Sequence, residues 1–112
     1  MPFKFSRCIC LQTPQSESAA RFYKEILGVE SADEKECNIE LIVGANRLFI
    51  DKGEQLGPIL EFLVPDLESA KKELVAKGCE VVVWEGRGGR CYMRDPFGLV
   101  FNLYEDKESF SD

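Results

Sequence analysis

Two stretches of this sequence repeat one pattern and decide its fold: PQSESAARFYKEILG at residues 14–28 and PDLESAKKELVAKG at residues 65–78. Both begin P-x-x-E-S-A, and Pro65 follows Pro14 by 51 residues. Each stretch continues with apolar residues at helical spacing and ends at a glycine, which suits the left-handed residue just past a helix. The repeat therefore predicts two copies of one structural unit of about fifty residues.

Short segments of alternating apolar and polar residues surround both helices. Such alternation is typical of strands with one buried face. One segment precedes each helix and three follow it, at residues 7–12, 29–33, 38–43 and 46–51, and again at residues 58–64, 80–85, 90–94 and 99–104. We therefore predict an α+β fold of two βαβββ modules in a single domain over residues 1–112, with repeats at about residues 5–52 and 57–105.

The buried stripes of the two helices follow from the same spacing. In the second helix Asp66 is the predicted N-cap. The first stripe is predicted to contain Ala19, Phe22, Tyr23, Ile26 and Leu27, and the second Leu67, Ala70, Leu74 and Val75.

Charge and composition exclude several classes of function. A formal net charge of -6 argues against nucleic acid and anionic membranes, because both attract clustered Lys and Arg. No apolar run approaches a membrane span, and residues 1–10 do not read as a signal peptide, so we expect a cytoplasmic protein. Five cysteines without CxxC spacing indicate neither a disulfide framework nor a zinc ribbon, and histidine is absent.

Three motifs carry a family resemblance. They are SAARFYKEILGVE at residues 18–30, VPDLESAKKELVAKGCEV at residues 64–81 and DPFGLVFNLYE at residues 95–105. In this order and spacing they resemble the vicinal oxygen chelate superfamily, which includes glyoxalase I, bleomycin-resistance proteins and extradiol dioxygenases. The resemblance covers nearly the whole chain. It implies a glyoxalase/bleomycin-resistance-like fold, in which curled mixed sheets form a cup, and a homodimer.

The resemblance also implies where metal-using members would hold their metal. The corresponding positions here are Cys8, Ile59, Asn102 and Asp51, with Ile50 as the alternative to Asp51. They offer a thiol, an alkyl group, an amide and a carboxylate, where such members tend to carry His, Gln or Glu. Because a catalytic metal takes about three good protein ligands, we predict neither a metal nor another cofactor.

Nine residues on the predicted cup face are the candidate ligand-binding site. They combine a polar minority with apolar and aromatic side chains, as ligand pockets do. They are Cys8, Cys10, Phe49, Asp51, Glu61, Trp84, Tyr92, Asn102 and Tyr104.

Several of these residues have alternative interpretations. Glu61 is either a general base or the partner of Arg90, Arg94 or Arg47 in an ion pair. Cys8 and Cys10 are either a nucleophile or soft-metal site or inert buried thiols. The four aromatic side chains of the set form either a ligand wall or core and dimer packing. The loop EGRGGR at residues 85–90 is either a phosphate-binding loop or, as we favour, a hairpin, since it leads into a strand.

The first functional prediction is a metal-free protein that sequesters a small organic molecule, such as a drug or metabolite, in a homodimer. Glu61 and Asp51 on the cup face favour a basic or zwitterionic ligand. The alternative is a glyoxalase-like lyase or isomerase with an atypical metal site near Cys8 and Asp51, so the sequence leaves open whether the chain is an enzyme. A third possibility is a cup filled by its own side chains in a protein that acts through partners.

Overall fold

The computed structural model describes residues 2–34 and 38–111. In chain order the elements are β1 (Lys4–Thr13), α1 (Ser16–Glu25), β2 (Glu30–Glu34), β3 (Asn38–Val43), β4 (Asn46–Lys52), β5 (Leu56–Val64), α2 (Leu67–Ala76), β6 (Glu80–Trp84), β7 (Cys91–Arg94) and β8 (Val100–Glu105), followed by a 3₁₀ turn at Glu108–Phe110. This order is βαβββ repeated once, so the predicted α+β class with two βαβββ modules is confirmed. Neither described helix is long and apolar enough to cross a membrane.

The chain divides into two compact units. The first unit is Arg7–Ile59, and the second unit is Leu60–Asp112 together with Met1–Ser6. In the first unit the strand order is β2-β3-β4-β1, and β1 pairs with β4 in parallel. In the second unit the order is β5-β8-β7-β6, and β5 pairs with β8 in parallel. The remaining pairs within each unit are antiparallel, so both sheets are mixed. That the repeats form a single domain stays a prediction.

In the first unit, α1 packs against β3 and β4. The buried cluster contains Ala20, Ile39, Leu41 and Ile50, with Ala19, Tyr23, Val29 and Leu48 packed around it. The predicted stripe is wrong in part, because Phe22 is 51% exposed and Ile26 67% exposed. The helix turns Ser16 and Ala20 inward instead, and it ends at Glu25, so Ile26 and Leu27 lie beyond its last turn.

In the second unit, α2 covers the corresponding sheet. Its N-cap is Asp66, whose carboxylate accepts a hydrogen bond from the Ser69 N–H at 3.1 Å, as predicted. Of the predicted stripe only Val75 is exposed. The buried cluster contains Val64, Leu67, Ala70, Cys79, Cys91, Met93 and Leu103, with Phe62, Leu74, Trp84 and Phe101 packed against it.

The packing assigns the two faces of each sheet. Leu48 and Ile50 pack with α1, so alternation turns Phe49 and Asp51 to the opposite face. Leu103 and Phe101 pack with α2, so Asn102 and its row of neighbours face the other way. We call the face of each sheet that points away from its own helix the helix-free face.

Candidate functional site

Asn102 lies at the centre of a hydrogen-bonded chain in the second unit. It is 8% exposed and pairs with Glu61 of β5 and Tyr92 of β7 in the strand registers. The Cys91 backbone N–H donates to its Oδ1 at 2.8 Å, and its Nδ2 donates to Oε1 of Glu61 at 3.4 Å. Because a buried backbone N–H needs an acceptor, the amide oxygen is held on β7 and the NH₂ group is turned to Glu61.

Glu61 accepts another hydrogen bond at its second oxygen. The Ser6 hydroxyl donates to Oε2 at 3.0 Å, so each oxygen of this half-buried carboxylate has a donor. The three arginines considered as its partners contact other carboxylates: Arg90 with Glu85, Arg94 with Glu80 and Arg47 with Glu40.

Two tyrosines share the helix-free face with this chain. Tyr92 is 1% exposed, and the Arg90 guanidinium lies 6.0 Å from its ring centroid. Tyr104 follows Asn102 by two residues along β8 and is 44% exposed. The second unit therefore brings a carboxylate, an amide and two phenol rings onto one sheet face.

Trp84 does not lie on the helix-free face of the second unit. A β-bulge between Val81 and Val83 shifts the register, so that Val83 pairs with Tyr92 and Trp84 with Cys91. The indole packs with the core under α2, and Lys71 Nζ lies 4.5 Å from its ring centroid. The sequence prediction assumed unbroken alternation along β6, and the extra residue of the bulge reverses the face on which Trp84 lies.

The first unit holds the other four predicted residues, all half-buried, on the helix-free face of its sheet. The parallel register of β1 and β4 pairs Cys8 with Arg47, Cys10 with Phe49 and Gln12 with Asp51. Gln12 is itself buried, and its Nε2 donates to the Glu54 carbonyl at 2.9 Å. The first unit thus brings these four side chains onto one face, and their role in ligand binding stays a prediction.

The glycine-rich loop after β6 is a hairpin connection, as favoured from the sequence. Its ends are joined by a hydrogen bond from the Glu85 N–H to the Arg90 carbonyl at 2.7 Å. The Glu85 carboxylate also contacts the Arg90 guanidinium at 2.8 Å. Hydrogen bonds from Arg90 lower the pKa of Glu85 to about 2.

Comparison with known proteins identifies the fold and the family. A family model described as a glyoxalase-like domain matches residues 8–104. The chain belongs to this glyoxalase-like family. A comparison with curated proteins finds no match.

Solved structures similar to this glyoxalase-like domain include enzymes of several activities. One is methylmalonyl-CoA epimerase from Mycobacterium tuberculosis, with a TM-score of 0.61 and 17% identity over 93% of this chain and 90% of that one. A Mn(II)-bound glyoxalase from Novosphingobium aromaticivorans has a TM-score of 0.61 and 16% identity over 94% of this chain and 40% of its own. Homoprotocatechuate 2,3-dioxygenase from Brevibacterium fuscum has a TM-score of 0.64 and 20% identity over 93% of this chain and 37% of its own.

Identities this low establish the shared fold alone. Together with the family match, they confirm the predicted membership of the vicinal oxygen chelate superfamily and the glyoxalase/bleomycin-resistance-like fold. The activities of these enzymes are their own.

In this glyoxalase-like domain, the side chains at the ligand positions implied by the family are poorly suited to bind a divalent metal. Ile59 is buried and has no donor atom, and the Asn102 oxygen accepts the Cys91 N–H. Cys8 and Asp51 leave one thiol and one carboxylate, fewer than the three good protein ligands of a catalytic metal. Among residues 2–34 and 38–111, no three His, Cys, Asp or Glu side chains are grouped so that they could hold a metal ion.

The cysteines fall into two classes. Cys79 and Cys91 are buried free thiols, and burial raises the pKa of both, so neither is activated as a nucleophile. Cys8 and Cys10 are of intermediate exposure. Cys37 lies outside the described residues.

Sequence reasoning missed one member of the hydrogen-bonded chain, Ser6. The predicted strand began at Arg7, whereas β1 begins at Lys4. An available signal was the even spacing of Ser6, Cys8 and Cys10, which places Ser6 in the same alternation as two residues that were already candidates.

Proposed function

We propose that this glyoxalase-like domain is a metal-free protein that binds a small organic molecule at the helix-free face of its second unit, through Glu61, Asn102 and Tyr92. Sequestration of a drug or metabolite is the biological form of this activity that we favour. A sheet face that presents a few fixed polar groups beside aromatic rings has the mixture expected of a ligand site.

The orientation of Asn102 carries the proposal. Its Oδ1 accepts the Cys91 N–H, and its Nδ2 donates to Glu61. An amide nitrogen that donates hydrogen bonds is not a metal ligand, and the oxygen is already engaged by the backbone. The residue at the last-strand ligand position therefore orients a neighbouring carboxylate, a role that suits recognition of an organic ligand.

Thermal melts test the metal-free part of the proposal. Melts in EDTA and with added Ni²⁺, Zn²⁺ or Mn²⁺ should coincide, because a metal bound only by the native state would raise the midpoint. A drop of several degrees on chelation would contradict the proposal. Melts of a known zinc protein under the same conditions control for the chelator.

Isothermal titration calorimetry tests the binding part. A panel of cationic, zwitterionic, neutral and anionic small molecules should contain at least one that binds saturably with one site per chain. Asn102→Ala should weaken it, since this change frees the Glu61 carboxylate to reorient. Equal affinity in the wild type and in Asn102→Ala would place the site elsewhere, and the absence of any saturable binding would contradict the proposal.

The second candidate function is a metal-dependent lyase or isomerase of the glyoxalase type. It is favoured by the fold shared with a Mn(II)-bound glyoxalase and by the thiol of Cys8 and the carboxylate of Asp51 at two implied ligand positions. The same melts separate the two candidates, since only this one predicts stabilisation by a metal.

The predicted homodimer stays a prediction. An apolar surface of Ile59, Leu63, Val100 and Tyr104, which strand alternation places opposite the helices, favours a dimer, but Ile59 is already fully buried in the single chain. Light scattering at micromolar concentration should give about twice the chain mass of 12.7 kDa, and a mass near 12.7 kDa itself would contradict the dimer.

A further inference from the structure

We propose that the group recognised at Glu61 is cationic, an amidinium, guanidinium or ammonium, and that Ser6 and Asn102 are positioning residues for the carboxylate that receives it. This inference rests on the proposed function, because it names the class of ligand for the same site. It is carried by the hydrogen-bonded chain from Cys91 through Asn102 to Glu61 and Ser6.

The backbone fixes the direction of the hydrogen bonds that Asn102 makes. The Cys91 N–H can only donate, so Asn102 must present its oxygen to β7 and its NH₂ group to Glu61. The Ser6 hydroxyl donates to the other oxygen of the ionised carboxylate. Ionised Glu61 is therefore an acceptor at both oxygens.

An oriented carboxylate selects among ligands by charge. The two donors described hold the Glu61 carboxylate in one orientation. Amidinium and guanidinium groups present parallel N–H donors that match a carboxylate, and these charge-assisted bonds are roughly twice as strong as neutral ones. An anion would meet a like charge at this position.

The aromatic rings of the same face favour the same class of ligand. Tyr92 pairs directly with Asn102, and Tyr104 lies two residues along β8. The ring face of tyrosine attracts cations, as the position of the Arg90 guanidinium over Tyr92 illustrates. Because Tyr92 is 1% exposed and has Arg90 near its ring, Tyr104, 44% exposed, is the ring that a ligand cation can reach from this face.

Pairs of molecules matched in shape test this inference. Benzamidine with benzamide, and benzylamine with benzyl alcohol, differ mainly in charge, and benzoate supplies the anion. In calorimetric titrations at fixed ionic strength, the wild-type chain should bind at least one of the cations about tenfold or more tightly than its neutral match. Glu61→Gln should remove most of this preference, whereas Glu68→Gln should leave it unchanged, because Glu68 lies on α2 beside Lys71.

Ser6→Ala keeps the proposal testable if Glu61→Gln does not fold. It keeps the carboxylate but removes one of its two donors, so cation affinity should fall by a smaller factor, about threefold. Equal binding of the charged and neutral partners, or no binding of either cation, would overturn the inference. If neutral or anionic molecules of the wider panel still bind and Asn102→Ala weakens that binding, the proposed function stands although the preference for cations is refuted.

Discussion

The two units share an element order but differ in the chemistry of their helix-free faces. In the first unit this face carries the thiols of Cys8 and Cys10 with Asp51. In the second unit it carries Glu61 and Asn102, joined by a hydrogen bond. The helix-facing positions of both sheets are apolar and buried. The two units therefore share the apolar packing under their helices, whereas the polar residues on their helix-free faces differ.

The helices differ in the same way on their outer surfaces. Phe22 and Ile26 are exposed on or just beyond α1, whereas the positions 51 residues later are Glu73 and Lys77. Their N-termini differ too: Asp66 caps α2 through its side chain, whereas Gln15 makes no side-chain cap at α1. The repeated P-x-x-E-S-A pattern therefore predicts where a helix starts, and it does not predict how that start is stabilised.

The largest expected effect is the loss of a core leucine in either unit. Leu41 and Leu103 are both fully buried, one in each cluster. Leu41→Ala and Leu103→Ala should each lower the free energy of unfolding by about 2 to 5 kcal/mol, because each removes buried methyl groups and leaves a cavity. Urea denaturation followed by circular dichroism measures both. A loss below about 1 kcal/mol for only one variant would show that its unit is not tightly packed.

The next effect concerns the hydrogen-bonded chain of the second unit. Asn102→Ala should destabilise the protein by about 1 to 3 kcal/mol, because it leaves the buried Cys91 N–H without its acceptor. Urea denaturation measures this loss. Asn46→Ala at the start of β4 is the control, with an expected change within about 0.5 kcal/mol. Equal losses in the two variants would show that the chain adds nothing to stability.

Much of this architecture was predictable from the sequence, because buried apolar residues recur at regular intervals along each helix and strand. The two helices, all eight strands and the Asp66 cap follow from apolar spacing and from residues with special roles at helix ends. The pairing of Glu61 with Asn102 on one face followed from alternation and the parallel register.

The sequence-based predictions are wrong mainly where the regular alternation along a strand is interrupted. Trp84 changes face because of a bulge, and an apolar segment gives no advance signal of one extra residue. Ser6 was missed because the predicted strand starts at Arg7, whereas β1 starts at Lys4 and continues through Arg7 despite its φ of 69°. The orientation of the Asn102 amide depends on a backbone N–H of another strand, which composition and spacing do not reveal.

A smaller effect is expected at the two helix starts. Asp66→Ala should cost about 1 kcal/mol, because it removes the acceptor of the Ser69 N–H. Gln15→Ala should change stability by less than about 0.5 kcal/mol, since Gln15 provides no side-chain cap to α1. Chemical denaturation of the two variants in parallel measures the difference, and a loss for Gln15→Ala that equals the loss for Asp66→Ala would remove the distinction between the helices.

The smallest effect is expected from the acid titration of Glu85 in the second unit. Glu85 accepts several hydrogen bonds from Arg90. In the first unit, by comparison, Arg47 contacts Glu40 at 3.2 Å. Arg90 holds the pKa of Glu85 at about 2, below its ordinary value of 4.5. A carboxylate whose pKa is depressed by folding stabilises the folded state above its unfolded value, and this contribution disappears as the pH falls from about 4.5 to about 2.

The stability difference between the wild type and Glu85→Gln should therefore be constant well above about pH 4.5 and shrink as the pH falls through about 2. Carbon-detected NMR of the Glu85 carboxyl gives the direct reading, with a midpoint near 2 in the wild type and a return toward 4.5 in Arg90→Gln, which removes the cause of the shift. Because both groups are exposed, salt should reduce the shift. A wild-type midpoint near 4.5 would mean that the ion pair between Glu85 and Arg90 does not persist in solution.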